Sequence, residues 1–182
     1  MGRRSERRAA AQSPAPLLIL AAWDREVAAF WEVASREEPD AVLDGARALA
    51  AQRPAGDAPA LFELASAHDY VGDELAAVPL YEQALDAGLS GRRRDEAVIQ
   101  LASSLRNVGR PADALALLDS VAPGAGDELG EDLAPAGQAF RALVLRDLGR
   151  GDEAVTVALT TLAPTLAQYG GAVARYAAGS DQ

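Results

Sequence analysis

The chain contains no cysteine and no lysine, a single histidine and a single methionine, and only 5% aromatic residues. Without cysteine there is no disulfide, no thiolate metal ligand and no thiol nucleophile. One histidine, His68, cannot build a two-histidine metal site. Its neighbour Asp69 would point about 100° away around a helix, so His68 reads as a packing residue. No GxGxxG, P-loop or GxSxG pattern occurs, and no spacing singles out a pair of carboxylates for acid–base work. Gly124 and Gly126 lack the preceding strand and following helix of a phosphate cradle. The sequence therefore predicts no catalytic residue, no metal and no cofactor. No apolar run approaches the roughly 18 residues of a membrane span, and none alternates apolar with polar residues long enough to form a strand.

Positive charge is also scarce. The formal net charge is −10. Residues 1–16 carry four Arg against one Glu, which is +3 and leaves −13 on the rest. Such an acidic body repels nucleic acid and anionic membrane at long range. Arg92, Arg93 and Arg94 form the densest basic run beyond residue 16, with Asp95 and Glu96 beside them, and read as a solvated first helical turn. The apolar stretch Leu17–Ala22 is short for a secretory signal and is closed by Asp24, Arg25 and Glu26. A cytoplasmic location is expected, with no membrane partner.

What the chain does have is alanine. Hydrophobic residues make up 49%, Ala chief among them, and Ala is both the best helix former and small enough to let helices approach closely. Residues 1–16 hold few large apolar groups and read as a disordered basic tail ended by Pro14 and Pro16. A first helix is expected from Leu17, where Leu20, Trp23, Val27, Phe30 and Trp31 recur at helical spacing, and it stops before Glu38-Pro39. Pro39 opens the next helix, which ends before Arg53-Pro54. Further helical stretches are expected over Ala58–Val71, Asp73–Ala87, Arg92–Val108, Pro111–Val121, Glu131–Leu148 and Asp152–Leu162. Residues 123–130 (PGAGDELG) read as a loop. A last segment after Pro164 runs to about Ala178, weakened by Gly170 and Gly171, with residues 179–182 as a tail.

The helices carry an internal repeat. The same punctuation returns three times, as Gly72 to Ala77 (GDELAA), Gly109 to Ala114 (GRPADA) and Gly149 to Ala154 (GRGDEA). Seven residues before each of these glycines stands another alanine: Ala65, Ala102 and Ala142. A glycine can take the left-handed conformation that reverses the chain at a helix end. The two alanines then fall where the paired helices cross, and only small residues fit there. These residues resemble the tetratricopeptide-repeat (TPR) pattern. The family's Ala at position 20 is Ala77, Ala114 and Ala154; its large residue at 24 is Tyr81, Leu118 and Ala158; its Ala at 27 is Ala84, Val121 and Thr161. The stretch around Tyr81, Ala84 and Leu85 matches best.

That resemblance implies an all-α fold, a solenoid of about nine helices in antiparallel pairs with a C-terminal capping helix. The repeat domain spans 17–178. It comprises a degenerate first pair (17–54), repeats at 57–88, 92–122 and 131–163, and a cap (164–178) in which Tyr169, Val173 and Tyr176 cover the last repeat. The resemblance further implies a non-catalytic module that binds a protein or peptide along its concave face. The residues it assigns to that groove are Phe62, Ser66, Asp69 and Tyr70, then Ile99, Gln100, Ser103, Arg106 and Asn107, then Leu143, Arg146 and Asp147. The Lys and Asn clamp with which one TPR subclass holds C-terminal carboxylates is absent, because Phe62, Glu63, Ser66, Ile99, Gln100 and Ser103 stand in its places. Two other readings accompany this one. Trp23, Phe30 and Trp31 could pair two chains into a homo-oligomer, and the Arg-rich segments could bind nucleic acid weakly.

Overall fold

The computed structural model describes residues 14–179, with side chains from residue 21 onward. The expected tails at 1–13 and 180–182 lie outside the described residues. Those described form nine α-helices and no strand, as the alanine-rich composition and helical periodicity require.

The chain divides after Ala34 into two compact units. The first contains α1, Pro14–Val33, which begins three residues before the expected Leu17. Pro14 and Pro16 sit in its first turn, where a missing N–H leaves no intrahelical bond unmade. The rings of Phe30 and Trp31 meet edge-on with centroids 4.9 Å apart. Both are half-buried and Trp23 is buried.

The second unit runs from Ser35. It holds α2 (Pro39–Ala50), α3 (Ala58–Tyr70), α4 (Glu74–Asp86), α5 (Gly91–Asn107), α6 (Pro111–Ser120), α7 (Ala134–Asp147), α8 (Gly151–Leu162), a 3₁₀ turn at Ala163–Thr165, and α9 (Gly170–Ala177). The pair expected over 17–54 is thus divided between the two units. Within the second unit each helix packs on the next along the chain, from α2 through α9. This is the contact pattern of a stacked array, in which no hairpin buries its apolar face alone.

The hairpin turns repeat at the level of single hydrogen bonds. Gly72, Gly109 and Gly149 have φ of 84°, 80° and 75°. After each, the next N–H returns to the carbonyl five residues back: Asp73 to His68 at 2.8 Å, Arg110 to Leu105 at 2.8 Å and Arg150 to Leu145 at 2.9 Å. A residue with a Cβ would be strained at these angles. Ala65, Ala77, Ala102 and Ala114 are fully buried in one core cluster with Tyr81, Leu118 and Leu145. The third hairpin is looser. Ala154 is the only buried residue of α8, where Ala158 stands in place of the large Tyr81 and Leu118 of the earlier hairpins.

The long connection before α7 extends past the expected loop at 123–130. Helix α7 starts at Ala134 rather than Glu131, since the N–H groups of Leu133 and Ala134 both turn back to the carbonyl of Gly130. Leu129 folds inward beside Val98, Ile99 and Val121 and rests against Gly137, where a Cβ would stand 2.4 Å from its Cδ1. The C-terminal segment also departs from expectation. Tyr169 and Tyr176 are 70% and 67% exposed, so they do not cover the last repeat, while Val173 of the expected cap is half-buried.

Candidate functional site

Helices α3, α5 and α7, the first of each hairpin, form one layer. α3 touches α5 and α5 touches α7, whereas contacts between the second helices, α4 with α6 and α6 with α8, are marginal at most among the described residues. The first helix of each hairpin thus packs on the first helix of the next. All twelve residues expected in the groove lie on these three helices.

They do not all face outward. Phe62 and Ile99 are buried in the core and offer nothing to a partner. Phe62 is tilted against the Tyr81 ring at 6.2 Å, and Ile99 packs with Val98 and Leu129. The helix face is rotated toward the core at those two positions. Ser66, Asp69, Tyr70, Gln100, Ser103, Arg106 and Leu143 are half-buried, and Asn107, Arg146 and Asp147 are more open.

At the junction of α3, α4 and α5 these residues form a polar network around Tyr81, a residue absent from the expected groove set. Its side chain is fully buried, and its hydroxyl donates to Gln100 Oε1 at 2.7 Å. Ser66 Oγ donates to the same oxygen at 3.1 Å. Ser104 Oγ reaches Asp69 Oδ1 at 3.1 Å and the Gln100 carbonyl at 3.0 Å. Burial raises the Asp69 carboxyl above its ordinary value of 3.8; the Ser104 hydrogen bond opposes this, while nearby Glu74 adds to it. Burial and the Asp69 charge push the Tyr81 hydroxyl far up, so it remains a neutral donor at any ordinary pH. Beside the network, the Arg36 guanidinium lies over the Tyr70 ring, 4.8 Å from its centroid, a cation–π contact.

Further along the face the charges are paired within the protein. Asp147 accepts from Arg106 of α5 and from Arg146, the latter at 3.2 Å, and these two arginines hold its carboxyl below the ordinary value. Asn107 Nδ2 donates to Glu74 Oε1 at 3.2 Å. Ser103 makes no side-chain hydrogen bond among the described residues, and Gln100 uses only its carbonyl oxygen, which leaves its NH2 unengaged there.

In the Arg92–Arg94 run Arg92 is open to solvent, as a solvated turn requires, whereas Arg93 and Arg94 are half-buried. Arg93 reaches back to Glu63 of α3 at 2.9 Å, and the Glu63 side chain is only 4% exposed. Arg94 donates to the Asp127 carbonyl at 3.2 Å and bonds its carboxylate at 2.5 Å. Arg92 pairs with Glu96 at 2.8 Å and with Asp132. Asp95 accepts from the Gly130 N–H at 3.0 Å. The run ties α5 to the preceding hairpin on one side and to the 121–133 connection on the other. His68 also has a local role, since its Nδ1 lies 3.0 Å from Oδ2 of Asp73, the residue capping α4.

Among the described residues no group of three or more His, Cys, Asp or Glu could hold a metal ion, and no helix is long and apolar enough to cross a membrane. The family profile described as tetratrico peptide repeat matches residues 58–179. Neither a curated protein nor a solved structure matches the chain.

Proposed function

Because the chain belongs to the tetratricopeptide-repeat family, a family of protein-interaction modules that are in general non-catalytic, we propose that it binds a segment of another protein along the inner face of α3, α5 and α7. The hairpins at 57–88, 92–122 and 131–163 are its repeating units. The observation that carries this reading is the continuity of the inner layer, with α3 on α5 and α5 on α7. Ser103 and the Gln100 NH2 stand at its centre with unused hydrogen-bonding capacity. These groups suit the backbone of an extended segment, which offers both carbonyls and N–H groups. Tyr70 and Leu143 supply apolar contact, and Arg146 supplies charge at the rim. Ser66, Asp69, Arg106, Asn107 and Asp147 shape the floor through the pairings described above. Phe62 and Ile99 belong to the core and take no part.

The test is capture of a native partner by the whole protein and by two variants. Ser103→Arg fills the centre of the face and should abolish capture while leaving the helical circular dichroism unchanged. Asp86→Lys changes an exposed residue on α4 and should have no effect. Equal capture by both variants would move the binding site off this face.

A further inference from the structure

Four large apolar residues near the C-terminal end are exposed: Val155 (57%), Leu162 (48%), Tyr169 and Tyr176. Their placement follows from how α8 meets α9. Thr156 Oγ1 donates to the Ala177 carbonyl at 3.2 Å, and a Cβ on Gly170 would stand 2.3 Å from the Ala163 carbonyl. The start of α8 therefore lies beside the end of α9, and its end beside the start of α9. The helices run antiparallel, with Thr156 and Ala163 on one side of the seam and Ala177 and Gly170 on the other.

Each of the four exposed residues precedes one of these seam residues by a single position. One position is a turn of about 100° around a helix. In two antiparallel right-handed helices the same backward step rotates to the same side of the pair. The four side chains thus share one face and form two rungs, Val155 with Tyr176 and Leu162 with Tyr169, about 10 Å apart at 1.5 Å per residue. Charge enters this face only at its border, where Asp152 of α8 stands one turn before Val155. From Ala154 to Gly179 the only charged residue is Arg175, which is turned about 100° away from Tyr176.

We propose that this face of α8 and α9 is the seat of a second copy of the chain. The pattern is self-complementary. A two-fold axis running lengthwise between the helices lays α8 of one copy over α9 of the other, so that Val155 meets Tyr176 and Leu162 meets Tyr169. Electrostatics select the same face. Each copy has a net charge of −10, and contact through the acidic remainder would oppose like charges. A buried aromatic covers about 150–250 Å², so each tyrosine at its observed exposure offers roughly 100–170 Å². With the two aliphatic side chains the patch reaches about half of the ~800 Å² that each partner gives to a standard interface. The pairing is accordingly weak and reversible. It lies apart from the inner face and does not depend on what that face binds.

Sedimentation of the full chain from about 5 to 300 µM spans the range in which such a dimer populates. The expected result is a monomer–dimer equilibrium that shifts toward dimer as salt screens the mutual repulsion. Tyr169→Ser with Tyr176→Ser should sediment as a monomer with unchanged helicity, and Leu75→Ser, at an exposed residue of α4, should dimerise like the parent. If the tyrosine pair lowers helicity, Val155→Ser with Leu162→Ser decides by the same criterion. A parent that stays monomeric at the highest concentration and salt overturns the proposal. So does a dimer that both double variants leave intact.

Discussion

The Tyr81 network makes a prediction that runs against burial alone. Tyr81 is fully buried and Gln100 is half-exposed, so a ledger of buried area would make the tyrosine hydroxyl the costlier group to disturb. Hydrogen bonding reverses the order. In Tyr81→Phe, Gln100 Oε1 keeps the Ser66 hydroxyl at 3.1 Å, and Asp69 keeps Ser104 at 3.1 Å. No buried acceptor is orphaned, and the cost is that of one neutral bond, about 1 kcal/mol. In Gln100→Met the side-chain volume is kept but the acceptor is lost. The Tyr81 hydroxyl is left with Ser66 at 3.4 Å and Asp69 at 3.5 Å, both at the edge of bonding distance. A buried, poorly satisfied hydroxyl costs about 1–3 kcal/mol. Urea unfolding of the parent, both single variants and the double variant measures this directly. Gln100→Met should be the more destabilised single variant. Adding Tyr81→Phe to it should cost nothing or restore stability, because the stranded hydroxyl goes with it. If Tyr81→Phe is the worse of the two, or the costs simply add, the network does not couple α3, α4 and α5 as described.

Burial holds the Asp69 carboxyl above its ordinary value of 3.8, with Ser104, Tyr81 and Arg36 opposing and Glu74 reinforcing the shift. A raised carboxyl contributes stability that is present below its unfolded value and is lost as pH rises through its folded value. The stability of the parent relative to Asp69→Asn should therefore fall as pH is raised from about 3 through the acid range; a difference that stays flat would refute this. Gly171 lies in α9 with open space around its would-be Cβ, so Gly171→Ala should stabilise by about 0.5–1 kcal/mol, measured as a higher melting temperature. Gly137→Ala gains the same helix propensity but drives a Cβ to 2.4 Å from Leu129; it should fall short of the Gly171→Ala gain and speed amide exchange in residues 121–133. Arg94→Ala removes the tie to Asp127; it should speed exchange in the same connection while leaving α3 and α4 protected, as hydrogen exchange by mass spectrometry can read.

The repeat was legible in the sequence because its signals act locally. A glycine with φ near 80° and a returning hydrogen bond five residues back involve only one turn of chain. The alanines of the helix crossings are nearly as local, since they pack within a single hairpin. Helix starts set by Pro39 and Pro111 follow the same logic, whereas the start of α7 moved by three residues once the Gly130 turn competed for its first N–H groups. The groove was legible only as a set of helices. Which way each side chain points depends on the rotation of a helix against its neighbours, and that rotation took Phe62 and Ile99 into the core.

By itself, then, the order of residues determined that the chain is helical, where it reverses, and that its hairpins stack, because backbone conformation and close packing between adjacent helices are decided within a few tens of residues. Only the tertiary structure decided that Arg92, Arg93 and Arg94 are internal ties, with partners at Asp132, Glu63 and Asp127 about 30–40 positions away, that Tyr81 is the hub of a polar network joining α3, α4 and α5, and that Tyr169 and Tyr176 lie open. Ion pairs, shared acceptors and exposure are properties of distance in space, and a charge or a ring carries no mark in the sequence of what will stand beside it.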